Sequence, residues 1–173
     1  MTDADTDAAT DAEPTGPSPD VGMVPRAPGP DPGLFDCQAE FVDPGRRSPV
    51  ALDCILDAQC HDFMVVGHRG AGGQFASIAP ENSLASIRAA LLMGVDGIEL
   101  DVRHTADERL VVIHDTTVDR TTNGTGQIEQ MDLESVTALQ VLNSPLYDVP
   151  GDFQCERVPT LEEAFALTRG KLF

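Results

Sequence analysis

The sequence has few basic residues. It contains 11 Lys and Arg against 29 Asp and Glu, and its formal net charge is −18 over 173 residues. Binding of nucleic acid through a general basic surface is disfavoured, because that mode of binding needs Lys and Arg to neutralise phosphates. A polybasic membrane anchor is disfavoured for the same reason. A strongly acidic surface fits a soluble protein or one that holds cations, and the charge alone does not separate these.

Long apolar runs are also missing. No run approaches the roughly 18 residues that a membrane-spanning helix needs, and the N-terminus lacks the basic and apolar regions of a secretory signal. We therefore expect no transmembrane segment and no export signal in the chain as written. Residues 1–35 are rich in Asp, Ala, Thr, Pro and Gly. Such a composition buries too little apolar surface to offset chain entropy, which predicts a disordered acidic tail of the kind that tethers a domain to an export or lipid signal.

The cysteines include no C-x-x-C pair, which disfavours a zinc site. There are four of them, Cys37, Cys54, Cys60 and Cys155. Three lie in residues 36–62, where Pro and Gly interrupt any periodicity and predict an irregular extension. An even number of cysteines in loop-like sequence favours two disulfides of open connectivity and an extracytoplasmic location, whether periplasmic, secreted or lipid-tethered. The alternative is four free thiols in a cytoplasmic protein.

Residues 63–173 carry an α/β pattern. The run FMVVGHRG at 63–70 is typical of a buried parallel strand. Residues 84–93 have helical spacing, with Asn82 or Ser83 as the cap and Gly94 as the stop. The run DGIELDV at 96–102 predicts a second strand. Strand, helix and strand in this order form a βαβ unit, which implies a parallel sheet.

The rest of the pattern continues in the same style. The run RLVVIH at 109–114 follows a short turn, which predicts a hairpin with the end of the second strand. Helices are expected at 131–140, with Asp132 near the start, and at 160–170, where Thr160 and Glu163 form a capping box and Gly170 is the stop. The final KLF reads as the start of another strand. A closed α/β barrel needs eight strands and about 250 residues, so we expect this chain to end within the domain.

Five polar side chains are predicted at strand ends, where parallel α/β folds bind ligands. These are His68, Arg69, Glu99, Asp101 and His114. A histidine transfers protons near neutral pH, and an adjacent arginine suits a phosphate. Each has a simpler alternative, such as a histidine bonded to a loop carbonyl or an arginine in a surface ion pair.

Glu99 and Asp101 are two positions apart, so in one strand they share a face opposite Ile98, Leu100 and Val102. Their hard oxygens suit Ca²⁺ or Mg²⁺, unless the polar face simply meets water. A hairpin return would bring His114 to the same rim. A metal that polarises a phosphoryl group, an arginine that neutralises charge and two histidines as acid and base are the equipment of phosphodiester cleavage.

The stretch at 65–126 closely resembles the N-terminal half of the glycerophosphodiester phosphodiesterase family. The blocks HRG, PENS, ELDV and VVIHDTTVDRTTNGTG match in order and spacing, and MDLESVTALQ and VPTLEEAF follow, so that the resemblance covers residues 63–173. It implies a TIM-type (β/α)8 barrel with a hairpin insertion, of which this chain holds the first strands and helices. It also implies a small-molecule substrate, hydrolysed to glycerol 3-phosphate and an alcohol, and a divalent cation, Ca²⁺ or Mg²⁺.

The resemblance also implies roles by position. His68 and His114 would be the acid and base, Arg69 would bind phosphate, and Glu99 and Asp101 would hold the metal. Glu81 and Asn82 fall in the PEN block, where they would shape the loop beside the site, with Glu81 a minor contributor.

The resemblance has one departure. The family has a further metal-ligand Glu after VPTLEEAF, in a pattern like N-x-E, and this chain ends at GKLF before that point. We therefore expect the chain alone to be inactive and not stably folded, because its sheet would keep an open edge. Lysophospholipase D or phosphoinositide-type lipase activity on the same barrel, or a non-catalytic metal- or phosphate-binding remnant, remain alternatives. The oligomeric state, the head group and the nucleophile, water or a substrate hydroxyl, stay open.

Overall fold

The computed structural model describes residues 30–42, 54, 56–61, 64–73, 78–143 and 149–169. Its strands and helices, in chain order, are β1 Val66–His68, α1 Leu84–Met93, β2 Gly97–Glu99, β3 Val102–His104, β4 Leu110–Val112, α2 Leu133–Thr137 and α3 Leu161–Thr168, with 3-10 turns at Pro32–Leu34 and Ile128–Gln130. The described strands form two two-stranded sheets in a mixed α/β fold. Within these ranges, every helix is too short or too polar to cross a membrane.

The βαβ unit predicted from the sequence is confirmed. Strands β1 and β2 are parallel, with His68 opposite Glu99, and α1 is the crossover between them. The side chain of Ser83 caps α1 by accepting from the backbone N of Ser86 at 3.1 Å. Gly94 ends the helix with a φ of 73°, a left-handed conformation that favours glycine.

The single strand predicted over GIELDV is wrong. Strand β2 ends at Glu99 and β3 begins at Val102, so Leu100 and Asp101 belong to neither strand. The reason is a change of partner, since β2 pairs with β1 whereas β3 pairs with β4. The alternation that placed Glu99 and Asp101 on one face assumed an unbroken strand. Val102, expected on the apolar face, is 41% exposed.

The hairpin expected after that strand is confirmed. Strands β3 and β4 are antiparallel, with Val102 opposite Val112, and Thr105 N donates to Arg109 O at 2.9 Å to close the turn. One face of this hairpin joins an apolar cluster to which the following loop also contributes. Its buried members are Val111, Ile113, Val118, Ile128, Val136, Val141 and Val158.

The two later helices begin where their capping residues predicted. Asp132 caps α2 through Ser135 N at 2.8 Å, and Thr160 and Glu163 form the capping box of α3. Helix α2 is shorter than expected, because it ends at Thr137. The expected stop at Gly170 and the strand expected at KLF lie outside the described residues. Helix α3 packs on α1 and β4 through Ala164, beside Ile87, Leu91 and Val112.

The segment before the domain is docked on it. Phe35 is fully buried and its ring stacks on Phe153, with the ring centroids 6.2 Å apart. Residues 30–35 differ from the disordered tail expected there, because Phe35 supplies the apolar anchor that the preceding residues lack. Residues 1–29 lie outside the described residues. The two expected disulfides are present, as Cys37–Cys155 and Cys54–Cys60.

Candidate active site

Three polar side chains lie at or just beyond the ends of strands β1, β2 and β4. His68 ends β1, Glu99 ends β2, and His114 follows β4 after one residue. The register of β1 and β2 places His68 beside Glu99, with 3.9 Å between His68 Nε2 and Glu99 Oε2. Ile113 N donates to Asp101 O at 2.9 Å, so the end of β4 lies beside the residue that follows β2. The structure therefore brings the predicted residues of three strands to one region.

Arg69 turns the chain directly after β1, with a φ of 53°. Its backbone N donates to Glu99 Oε2 at 3.1 Å. Its side chain is 8% exposed and lies between two carboxylates, with Nη1 at 2.8 Å from Glu81 Oε1 and Nε at 3.2 Å from Asp101 Oδ2. The second contact has the distance of an ion pair without the alignment of a hydrogen bond. The Nε–H of Arg69 is thus a buried donor that lacks an acceptor among the described residues.

The PENS block is hydrogen-bonded to Asp101, just after the end of β2. Asn82 Nδ2 donates to Asp101 Oδ2 at 2.9 Å, and Asp101 N donates back to Asn82 Oδ1 at 3.2 Å. Asn82 N also donates to Arg69 O at 3.1 Å. The φ of Asn82 is 56°, a left-handed conformation that asparagine tolerates better than most residues. These bonds hold the PENS loop against the loop that follows β1.

Glycines make that close approach possible. A Cβ on Gly72 would lie 2.3 Å from Glu81 Cα, which no side chain could accommodate without a backbone shift. A Cβ on Gly73 would lie 2.6 Å from His68 Nδ1. The Gly-rich loop after β1 thus lies directly against Glu81 on one side and His68 on the other.

Arg120 is the site residue that the sequence did not reveal. It donates from Nη1 to Glu81 Oε2 at 3.0 Å and from Nη2 to Glu81 Oε1 at 2.8 Å. The same guanidinium donates from Nε to Asp115 Oδ2 at 2.7 Å and from Nη2 to Asp115 Oδ1 at 3.0 Å. The available signal was the block TTVDRTTNGTG, which matched the family as a run of residues without a role for its arginine. A buried glutamate in the PEN block also needs a cationic partner.

His114 is held from both sides. Its carbonyl accepts from Arg103 Nε at 3.0 Å and Arg103 Nη2 at 2.7 Å. Its ring Nδ1 lies 2.6 Å from Asp115 Oδ1, and its side chain is 43% exposed. An ionised carboxylate only accepts hydrogen bonds, so this contact requires a proton on Nδ1 and leaves Nε2 as the nitrogen for proton transfer. The geometry gives His114 the form of a base with an oriented ring.

The charges of this cluster shift its pKa values. Hydrogen bonding to Arg120 lowers the pKa of Asp115 to about 2. Burial raises the pKa of Glu81, but the hydrogen bond and charge of Arg120 and the charge of Arg69 outweigh it, so that the pKa is lowered. The hydrogen bond to Glu81 in turn raises the pKa of Arg120. Both carboxyls are therefore ionised at neutral pH.

Four carboxylates and two guanidinium groups form this connected cluster. Its members are Glu99, Asp101, Glu81, Asp115, Arg69 and Arg120. Carboxylates outnumber guanidinium groups by two, so the cluster attracts a cation.

Glu99 and Asp101 are the carboxylates predicted to hold a metal. The described ranges contain no group of three or more His, Cys, Asp or Glu side chains arranged around a metal position. A carboxylate offers about four acceptor positions, and one hydrogen bond reaches each of these two carboxylates, from Arg69 N to Glu99 and from Asn82 Nδ2 to Asp101. Mg²⁺ in particular is often bound by one or two carboxylates, with water and substrate phosphate as its other ligands. The donor chemistry of this pair therefore fits a hard divalent cation.

Known proteins resemble this chain over the residues that contain the site. A family model for the glycerophosphoryl diester phosphodiesterase family matches residues 68–173. A glycerophosphodiester phosphodiesterase of Caldanaerobacter subterraneus subsp. tengcongensis is 44% identical over 110 residues, which cover 64% of this chain and 42% of the relative. Glycerophosphodiester phosphodiesterase 1 of Homo sapiens is 42% identical over 101 residues, which cover 58% of this chain and 29% of the relative. The chain thus spans less than half the length of these relatives.

Solved structures of phosphodiesterases also resemble this chain. A glycerophosphodiester phosphodiesterase of Agrobacterium tumefaciens str. C58 matches with a TM-score of 0.55 and 41% identity, over 64% of this chain and 45% of that one. A phosphodiesterase of Oleispira antarctica, solved in complex with the product sn-glycerol-3-phosphate, matches with a TM-score of 0.52 and 35% identity, over 61% and 39%. The similarity therefore extends from sequence to fold.

Proposed function

Because this chain belongs to the glycerophosphoryl diester phosphodiesterase family, we propose that the intact protein hydrolyses glycerophosphodiesters to glycerol 3-phosphate and an alcohol with the help of Ca²⁺ or Mg²⁺. The observation that carries the proposal is the meeting of His68, Arg69, Glu99, Asp101 and His114 at the ends of β1, β2 and β4. The product in the Oleispira antarctica complex is glycerol 3-phosphate, which supports the same substrate class.

Glu99 and Asp101 are the residues that would hold the cation. A bound divalent cation polarises a phosphoryl oxygen and neutralises charge that develops in the transition state. The two excess negative charges of the surrounding cluster favour its binding. Asn82 holds the Asp101 carboxylate through one hydrogen bond and the Asp101 backbone N through another.

Arg69 is the proposed phosphate-binding residue. Its guanidinium is buried between Glu81 and Asp101, which fixes its position before substrate arrives. Its Nε–H is buried and lies beside Asp101 without a hydrogen bond, so the guanidinium acts on a substrate phosphate mainly through its fixed charge. A fixed, partly desolvated positive charge stabilises a phosphoryl transition state without a reorganisation cost at the moment of reaction.

His68 and His114 are the proposed proton-transfer pair. The Nε2 lone pair of His114 can accept a proton from the attacking hydroxyl, which is either water or a hydroxyl of the substrate glycerol. His68 lies at the end of β1, is 57% exposed and is within ion-pair distance of Glu99. An exposed imidazole at this place can donate a proton to the leaving alcohol. The reverse assignment of acid and base uses the same two groups.

The finer architecture is also part of the proposal. Strands β1 and β2 would be the first two strands of a TIM-type (β/α)8 barrel, with the β3–β4 hairpin as an insertion, which the parallel pairing and the intervening helix support. Among the described residues β1 and β2 pair only with each other, whereas β4 also bonds to Pro159 and Thr160, so the parallel sheet keeps unpaired edges. Residues 36–173 alone are therefore expected to give no turnover of glycerophosphocholine with Ca²⁺, and clear turnover by that segment would contradict this part of the proposal.

An oxidising, extracytoplasmic compartment is proposed as the place of action. Both disulfides support it, because such bonds persist in secreted and periplasmic proteins and are rare in the cytoplasm. Free-thiol titration of the unfolded protein, purified with its native redox state trapped, tests this. Four titratable thiols in protein from its own cells would overturn it.

A substrate panel tests the proposed activity. The intact protein is assayed with glycerophosphocholine, a lysophospholipid and a phosphoinositide, each with Ca²⁺, with Mg²⁺ and with EDTA. We expect release of glycerol 3-phosphate from glycerophosphocholine that EDTA abolishes. Preference for either of the other substrates would replace the substrate class, and no turnover of any substrate would support a non-catalytic remnant.

The metal ligands are tested separately by calorimetric titration of Ca²⁺ or Mg²⁺ into the intact protein. Glu99→Gln should weaken binding at least tenfold, because it removes one of two charged ligands. Glu129→Gln is the matched control, since Glu129 is 64% exposed and pairs with His104 on the hairpin. Equal affinities of the wild type and the Glu99 variant would contradict the assignment.

A further inference from the structure

Arg120 links two parts of the site that are far apart in the sequence. We propose that Arg120 is a positioning residue that holds Asp115 against His114 and so fixes His114 as the tautomer protonated on Nδ1. This inference rests on the proposed function for its consequence, because a free Nε2 is what a base at this position needs. Its structural core, the tautomer, does not depend on any activity.

The first step is the anchoring of Arg120. The side chain of Glu81 is 7% exposed, and both of its oxygens accept from Arg120. Glu81 Oε1 also accepts from Arg69 Nη1 at 2.8 Å, so a second guanidinium holds the same carboxylate. A bidentate contact between a planar guanidinium and a carboxylate held in this way leaves the guanidinium little freedom to rotate.

The second step is the pair of hydrogen bonds from Arg120 to Asp115. Arg120 donates from Nε to Asp115 Oδ2 at 2.7 Å and from Nη2 to Oδ1 at 3.0 Å, again with two bonds. Together with the bonds to Glu81, four of the five N–H donors of the guanidinium are in use. These bonds fix the orientation of the Asp115 carboxylate and favour its ionised form. Its Oδ1 lies 2.6 Å from His114 Nδ1.

The third step is that different arginines act on the ring of His114 and on its main chain. The His114 carbonyl is held by Arg103, through Nε at 3.0 Å and Nη2 at 2.7 Å. The loss of Arg120 would leave those two bonds in place. Arg120 therefore acts on the imidazole through Asp115, whereas Arg103 acts on the main chain.

A simpler role would be a structural ion pair that ties two loops together. Such a role predicts lower stability on substitution and nothing specific at the imidazole. A positioning role predicts a change in which ring nitrogen of His114 carries the proton. The two roles are therefore separated by a measurement on the histidine itself.

The experiment is ¹⁵N NMR of the His114 ring in the intact protein, at a pH where the ring is neutral. We expect the wild type to show the tautomer protonated on Nδ1. Arg120→Gln should shift the population toward the tautomer protonated on Nε2, and Arg120→Lys should restore part of the wild-type signal. Arg109→Gln, which breaks the exposed ion pair with Glu162, is the control and should leave the ring unchanged.

Two NMR results would overturn the inference. One is a wild-type ring protonated on Nε2, which needs no variant and therefore decides the matter even if Arg120→Gln does not fold. The other is a folded Arg120 variant whose tautomer equals that of the wild type.

Turnover gives an independent readout. If His114 is the base, Arg120→Gln should lower kcat about tenfold to hundredfold, in the range seen for residues that orient a functional group, with little change in KM. A wild-type protein without phosphodiesterase activity would count against the proposed function and leave the tautomer result standing. An unchanged kcat in a folded variant would contradict the positioning role.

Discussion

Asn82 and Asp101 hydrogen-bond each other in both directions, side chain to side chain at 2.9 Å and backbone to side chain at 3.2 Å. This pairing holds the loop before α1 against the point where the chain leaves β2. It also fixes the carboxylate that we assign to the metal. The left-handed backbone of Asn82, with a φ of 56°, is part of the same arrangement.

Substitution of Asn82 should separate the contribution of its hydrogen bonds from that of its left-handed backbone. Asn82→Ala removes two hydrogen bonds, each about 1 kcal/mol, and places at a positive φ a residue that tolerates this conformation less well than asparagine. Asn82→Gly removes the same bonds without that strain. We expect both to lower the free energy of unfolding of the intact protein in urea, with the glycine variant about 1 kcal/mol the more stable. An alanine variant as stable as the glycine variant would contradict the strain at this position.

Asp115 should make stability depend on pH in the acid range. Its pKa is about 2 in the folded protein against an ordinary 3.8, so the folded state binds fewer protons than the unfolded state between those values. The stabilisation is present above the ordinary pKa and is lost as the pH falls toward 2. A ¹³C NMR titration of the Asp115 carboxyl checks this value.

The hydrogen bond from Arg120 is the largest cause of that low pKa, so an Arg120 variant tests it directly. In Arg120→Gln the pKa of Asp115 should rise toward its ordinary value, because the largest favourable interaction is gone. Arg109→Gln should leave it unchanged. A wild-type Asp115 that titrates at its ordinary value, or an equally low value in both variants, would refute the assignment.

The Cys37–Cys155 disulfide should stabilise the fold more than Cys54–Cys60. Their sequence separations are 118 and 6 residues. Loop-closure entropy of the unfolded chain then gives about 5 kcal/mol for the first and about 2 kcal/mol for the second, as upper values. Urea unfolding of Cys37→Ser/Cys155→Ser and Cys54→Ser/Cys60→Ser double variants measures the difference. Equal losses in the two would show that the docked N-terminal segment does not hold the domain together.

Local signals predicted much of the fold. The cap at Ser83, the stop at Gly94 and the capping box of Thr160 and Glu163 are encoded within a few residues, so the helix starts were correct. The division of GIELDV between two sheets was not predictable, because it depends on which strands pair. The burial of Phe35 was missed for a similar reason, since its partner Phe153 is more than 100 residues away.

In the candidate site, too, local sequence signals were predictive and contacts between distant residues were not. His68 and Glu99 lie side by side because β1 and β2 are parallel neighbours. His114 comes to the same region because Ile113 N, after β4, bonds to Asp101 O. Arg120 could not be placed, because a loop arginine joins Glu81 and Asp115 only through tertiary contacts. The role of the PEN block was likewise underestimated, since Glu81 connects both arginines of the cluster.

The most direct test is the rate of glycerol 3-phosphate release from glycerophosphocholine, with Ca²⁺ or Mg²⁺, by intact protein carrying His114→Ala. His104→Ala is the matched control, because His104 is an exposed histidine at the opposite end of the hairpin that pairs with Glu129. We predict that His114→Ala lowers kcat by at least about a hundredfold, as expected for a general acid or base, and that His104→Ala keeps the wild-type rate. A wild-type rate in the His114 variant would contradict the account.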